Sequence, residues 1–339
     1  MLNVTIDKEK ISIGGRFTVT FQRTLRIPDD GRAYPLPPGL GRFPVLKVDD
    51  YLGHAPPLWR ERGGAFIPMY QREALWLGFH AAPWKPNAVK IAVGGVNAIS
   101  GMPDDKTFHD DHQDYVVCPE QPWLDGIHTG LELVRQFVAM PLGLGYTVEA
   151  SMTGVETFGG IQITVYEPKP GRFPEEPPIK PDAGPIRSAM PNPGRIASMG
   201  LGAGGAMKQK IYPDPYGIEV WDQDNYGRIF IHIINSDDFF AITGRDPPPT
   251  PIDAKTYTDY GLPWFDIYDE TKGDVLPSGR LAKAKTISAR DAERGEPVQV
   301  DASFEVSQTQ IKKLRANDSR VEDIQPSPPD SQGHPPECE

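Results

Sequence analysis

The chain has 339 residues, a net charge of −11 and 38% hydrophobic residues. That charge argues against a nucleic-acid backbone as main partner, because phosphate binding needs a basic footprint. The 37 prolines and 34 glycines exclude a mostly helical chain, since proline fixes φ and removes a backbone donor.

The negative charge is unevenly placed. From Asp291 to Glu339 there are eleven acids and five basic residues, so the rest of the chain is only mildly acidic. The two cysteines, Cys118 and Cys338, lie too far apart in sequence to read as a disulfide framework and fit a reducing compartment. The opening "MLNVTIDKEKISIGG" lacks the apolar stretch of a signal peptide. Apolar runs such as "IFIHII" fall far short of the ~20 residues of a membrane helix. The expectation is a cytoplasmic protein without an integral membrane segment.

In chain order, "RFTVTFQRTLRI" comes first. Phe17, Val19 and Phe21 alternate with Thr18, Thr20 and Gln22, the period-2 pattern of a half-buried strand. A Pro- and Gly-rich extended segment follows over 28–58. "YQREALWLGFHA" suits a strand or a short helix. "AVKIAVGGVNAISG" predicts a strand with a turn or bulge at Gly94-Gly95, and "DYVVCP" a short buried strand. Over 123–143, Leu131, Leu133, Val134, Phe137 and Val138 are spaced for one helix face, with Pro141 as the stop. "GYTVEAS" and "GIQITVYEP" predict a hairpin with a long loop.

Residues 167–194 hold nine prolines in 28 positions, a density suited to a stiff strap or linker. Beyond it, "YGIEVW" and "RIFIHIINS" predict a second hairpin turning at "DQDNYG". Ile229, Ile231 and Ile233 alternate with Phe230, His232 and Ile234, so that strand should be central. "TPIDAKTYTDYG" predicts a short helix ending at Gly261. From Asn317 the chain is polar and Pro-rich, too poor in apolar groups to offset its ordering entropy.

These elements predict a mainly β fold with short helices, of the α+β class. A β-rich, sandwich-like domain over 1–166 is followed by the strap 167–195, a smaller α+β unit over 196–316 and a disordered acidic tail over 317–339.

Chemistry concentrates in "HDDHQD", residues 109–114. Imidazole nitrogen and carboxylate oxygen suit a divalent metal. His109 and His112 share a face only if the stretch is a helical turn, with Asp104 or Asp105 as its N-cap. In a strand, His109 and Asp111 face one way while His112 and Asp114 face the other. The candidate ligands are therefore His109, His112 and Asp111, completed from elsewhere; solvation of an acidic loop is the competing account.

Other signals are weaker. "GLGAGG", at 200–205, matches G-x-G-x-x-G but lacks the strand-to-long-helix setting that gives it meaning. A loop where another group packs close to Gly204 and Gly205 explains it better. Cys118, among valines and acids, reads as a buried structural thiol rather than a nucleophile. The pairs Pro83-Trp84, Pro122-Trp123 and Pro263-Trp264 suit plugs at the ends of a β core, or the lining of a sugar or apolar-ligand groove.

Several stretches together, among them "FQRTLRIPDDGRAYPLPPGLGRFPV", "QDYVVCPEQPWLDGI", "GGAMKQKIYPDPYGIEVWDQ" and "YTDYGLPWFDIYDE", resemble a group of uncharacterised bacterial proteins found in actinobacteria and elsewhere. The resemblance spans about residues 15–275. It implies no activity and no catalytic residue. Two functions follow as expectations. The first is a non-enzymatic structural, assembly or binding protein that forms a homo-oligomer, with its small-molecule ligand undefined. The alternative is a metal-dependent hydrolase or oxidoreductase using His109 and His112, with a water in the open position.

Overall fold

The computed structural model describes residues 1–176, 198–250, 252–267, 271–297 and 302–314. Most of the strap (177–195), the tail (317–339) and Cys338 lie outside the described residues.

The fold is mainly β with a few short helices, as its composition predicts. Among the described residues, 16 strands form one large sheet. Along its main path the order is Val4–Asp7, Lys10–Ile13, Phe17–Thr24, Ala74–His80, Leu133–Pro141, Ser198–Lys208, Trp221–Asn235, Ile161–Pro168, Asn87–Val93 and Val116–Cys118. Ser198–Lys208 pairs along its length with Leu133–Pro141 but meets Trp221–Asn235 only at Ser198 and Met199. The sheet therefore bends there into two halves, and one buried cluster joins Phe17, Val19 and Phe137 of one half to Ile163, Ile229 and Ile91 of the other.

The sheet does not divide where the sequence suggested a domain boundary. The strands at 198–208 and 221–235 sit in its middle. The small parallel pair Trp264–Ile267 and Ile311–Leu314 adds Trp264, Phe265 and Leu314 to the same apolar cluster. A Pro-rich stretch can link two strands of one sheet as readily as two domains, and composition does not distinguish them.

The strand at 17–24 forms as predicted, but Thr20, Gln22 and Thr24 are buried along with Phe17, Val19 and Phe21. The Pro- and Gly-rich segment pairs along the edge of its second half (Arg23 N to Gly41 O, 2.9 Å; Phe43 N to Phe21 O, 2.8 Å). The ambiguous 70–81 stretch is a strand, Ala74–His80. Asn87–Val93 turns at Gly94-Gly95 into Val96–Asn97, and Val116–Cys118 is buried throughout.

The helix expected over 123–143 is instead the strands Gly126–Gly130 and Leu133–Pro141, joined by a turn in which Glu132 adopts φ 54°. Both faces of the second strand are buried from Phe137 to Met140, and a strand buried on both faces shows an apolar run rather than an alternation. "TVEASMT" is the helix Val148–Thr153, capped by Thr147 and closed by Gly154 at φ 79°, so no hairpin joins it to Ile161–Pro168. Nor does the chain turn at "DQDNYG". Trp221–Asn235 is one strand, and a register shift between Tyr166 and Pro168 absorbs the extra residues. The helix near 260 is present as Ala254–Asp259, capped by Asp253.

"GLGAGG" lies within the strand Ser198–Lys208, not in a phosphate loop. A Cβ on Gly205 would fall 2.4 Å from the Pro28 carbonyl oxygen, and one on Gly204 would fall 2.6 Å from Val138 Cγ2. Close packing at these two positions is as expected, although they lie in a strand and not in a loop. No helix among the described residues is long and apolar enough to cross a membrane.

Candidate functional site

Three neighbouring strands place the polar groups. Lys90 pairs with Thr164, and Thr164 pairs with Arg228. Directly opposed residues in antiparallel strands project to the same face, so Lys90 and Arg228 flank Thr164 on one side. Val89, Ile91, Ile163, Val165, Ile229 and Ile231 belong to the other side and to the core. The Lys90 side is covered by the loop 102–115, which Asn97 pins by donating to Asp114 O at 2.7 Å and accepting from Ile99 N and Ser100 N. Phe108 anchors the loop between Tyr115 and Tyr166, with ring centroids 4.7 and 4.5 Å away.

Lys90 is the centre of the cluster. Its side chain is 1% exposed, and its Nζ lies 2.9 Å from Asp105 Oδ1 and 2.9 Å from Asp114 Oδ2. It also donates to Thr107 O at 2.6 Å. All three ammonium protons therefore have partners. His109 Nε2 stands 3.0 Å from Asp105 Oδ2 and 3.9 Å from Asp114 Oδ2. Burial pushes the Asp105 carboxyl up, but bonds to Lys90 and His109 and the Lys90 charge together hold it below its usual range. Asp114, with a side chain 3% exposed, is raised because burial outweighs Lys90.

The expected ligand set assembles only in part. The stretch 103–115 forms no helical turn, yet the His109 and His112 rings stack at 5.1 Å and 8°. His112 Nδ1 is 2.8 Å from Asp111 Oδ1, and Asp111 is exposed. The donor atoms that converge, all within 4.8 Å of one another, belong to Asp105, His109 and Asp114. Asp111 and His112 stand outside that group because the loop follows the docking of Phe108 and Tyr115, not a helical repeat. Lys90 escaped the sequence reading altogether. Its signal was a single charge inside the apolar run "AVKIAV", which burial permits only with partners.

Asp104, the preceding residue, faces elsewhere. It forms an ion pair with Arg228 Nη2, and burial raises its pKa against the charge of that guanidinium. The pair borders a cavity of about 290 Å³ whose other walls include Gly95, Pro103, Glu149, Val155 and Phe158. Neither Arg228 nor the cavity was visible in the sequence, since its walls come from four separated segments.

The remaining candidates are structural. Cys118 is fully buried, donates to Gln121 O at 3.4 Å, and burial together with Glu120 pushes its thiol well above the ordinary range. Of the three Pro-Trp pairs, Trp123 and Trp264 are buried and Trp84 is only partly so. No protein-family model, curated protein or solved structure matches the chain.

Proposed function

We propose that this chain is a non-catalytic binding or assembly protein that self-associates. The observation that carries this reading is the position of Lys90, whose ammonium bonds both Asp105 and Asp114, two of the three groups that a metal would need. A divalent ion 4 Å from an ammonium is repelled by roughly 8 kcal/mol at an effective dielectric of 20. The Lys90 ammonium is thus matched from within and holds a loop to a sheet.

Exposed apolar groups support self-association. Leu276 is 83% exposed and Leu131 is 63% exposed. Glu132 N donates to Asp274 Oδ2 at 2.5 Å, so both leucines lie at one corner. Light scattering on the eluted protein should give a mass above the 37.4 kDa of one chain; a single-chain mass at micromolar concentration defeats the self-association part. Nucleic acid is not proposed as a partner, given the net charge of −11. The buried thiol of Cys118 suits the cytoplasm.

The second reading, a metal-dependent hydrolase or oxidoreductase, draws support from the convergence of Asp105, His109 and Asp114. It requires Lys90 to withdraw. Elemental analysis of the purified protein discriminates the two: a stoichiometric transition metal that is lost in Asp114→Asn would favour the enzyme.

A further inference from the structure

The cavity beside Asp104 and Arg228 deepens the binding reading and rests on it. Its groups differ in how much bonding capacity they have left. Glu149 accepts from Thr157 N (2.7 Å), Phe158 N (2.8 Å), Gly159 N (2.9 Å) and the Thr157 hydroxyl (3.1 Å). Gln162 accepts from Gly95 N at 2.8 Å and donates to Gly159 O at 2.9 Å. Both are committed to holding the loops. Arg228 is not. Its Nη2 donates to Asp104, while its Nε is buried with no hydrogen-bond partner among the described residues. A guanidinium offers five N–H donors in a rigid fork suited to carboxylate, and here part of that fork is unspent.

Charges of both signs line the cavity: the Arg228 guanidinium and the carboxylates of Asp104 and Glu149. With Glu149 committed to the loops, the pair left to meet a ligand is Arg228 and Asp104, so a bare anion meets the carboxylate and a bare cation meets the guanidinium. A molecule carrying both charges meets an opposite partner at each end. The rest of the lining is apolar, with Pro103, Val155 and Phe158 on the wall. At about 290 Å³ the cavity sits at the small end of ligand sites.

We propose that this cavity binds a free amino acid with an apolar side chain. The ligand carboxylate accepts from Arg228, its ammonium donates to Asp104, and its side chain lies against Pro103, Val155 and Phe158.

The test is calorimetric titration of the full chain with leucine and with phenylalanine, each beside its decarboxylated amine and its deaminated acid. The expected result is saturable binding of at least one amino acid, with the amine and the acid each weaker by about tenfold or more, as loss of a charge-assisted hydrogen bond implies. Arg228→Gln should weaken binding by roughly tenfold to a hundredfold. Should Arg228→Gln unfold, Phe158→Ala at the exposed rim should weaken binding about severalfold, through lost apolar contact. Absence of binding by both amino acids, equal binding of amine or acid, or full binding by a folded Arg228→Gln protein overturns the proposal. Mass spectrometry of the recovered ligand separates this from the parent reading. A chemically altered amino acid would refute the non-catalytic reading and leave the site standing. No binding by a protein that still self-associates would refute the site alone.

Discussion

Asp104 and Asp105 are neighbours in sequence and face two different environments. Asp105 joins Asp114 around Lys90, whose three protons are all used. Asp104 pairs with Arg228. The two clusters share a sheet face and one covering loop, yet one is closed around its cation and the other is open. Buried atoms without a partner among the described residues occur in both, Asp114 Oδ1 and His112 Nε2 in the first and Arg228 Nε in the second, but only the second lines the cavity. A spare donor beside a cavity is a better guide to function here than the density of acids and imidazoles, because a group needs both capacity and room to meet a ligand.

Four measurements test this contrast. The largest effect is expected for Lys90→Met, which leaves Asp114 buried without its cation. Urea unfolding should show a loss of about 3–5 kcal/mol, largely restored in the double variant Lys90→Met/Asp114→Asn. A loss below about 1 kcal/mol would mean that the closed cluster is not structural.

The second measurement keeps the acid limb of stability from being assigned to the wrong histidine. His232 is buried, stacks on Trp59 at 4.8 Å and donates to Gly63 O at 3.0 Å. Burial is the main cause that pushes its pKa down to about 4, with the Arg62 charge adding to it against the Gly63 bond. The unfolded chain therefore takes up a proton that the folded one refuses. The stabilisation is complete above about pH 6.5 and is lost as pH falls through about 4, a change of ~3 kcal/mol. His232→Phe should flatten this limb. A limb of unchanged slope in that variant would put the pH-sensitive group elsewhere.

Third, Arg228→Gln should cost less, about 1–2 kcal/mol, because it strips one carboxylate of its cation where Lys90→Met strips two. Asp104→Asn in the same chain should recover most of it. A loss as large as that of Lys90→Met would erase the distinction between the clusters. The smallest effect is expected for His109→Ala, whose ring is partly exposed: below about 1 kcal/mol in the same unfolding assay.

The legible parts of the fold were those where local pattern and burial agree. The strand at 17–24, the Gly94-Gly95 turn and the helix at 254–259 follow from alternation, positive-φ glycines and an Asp cap. The stretch at 123–143 misled because a strand buried on both faces has no period of its own. Thr147 and Gly154, a helix cap and stop, were present as signals and outweighed by the β-branched residues around them. Of the candidate site, His109 was legible by residue type. Asp105, Asp114 and Lys90 needed the loop to fold over the sheet before they could meet.

What the sequence determined by itself is the β-rich class, the position of a minority of the strands and the presence of one acidic, histidine-bearing loop, since each is a property of residues within about ten positions of one another. What tertiary structure alone decided is that 198–235 completes the same sheet as 1–168, that Lys90 closes the loop's acids from below, and that Arg228 stands beside a cavity with donors unspent. Those depend on strand pairing between segments far apart along the chain, and registers of that kind are fixed by the whole core and not by any local run of residues.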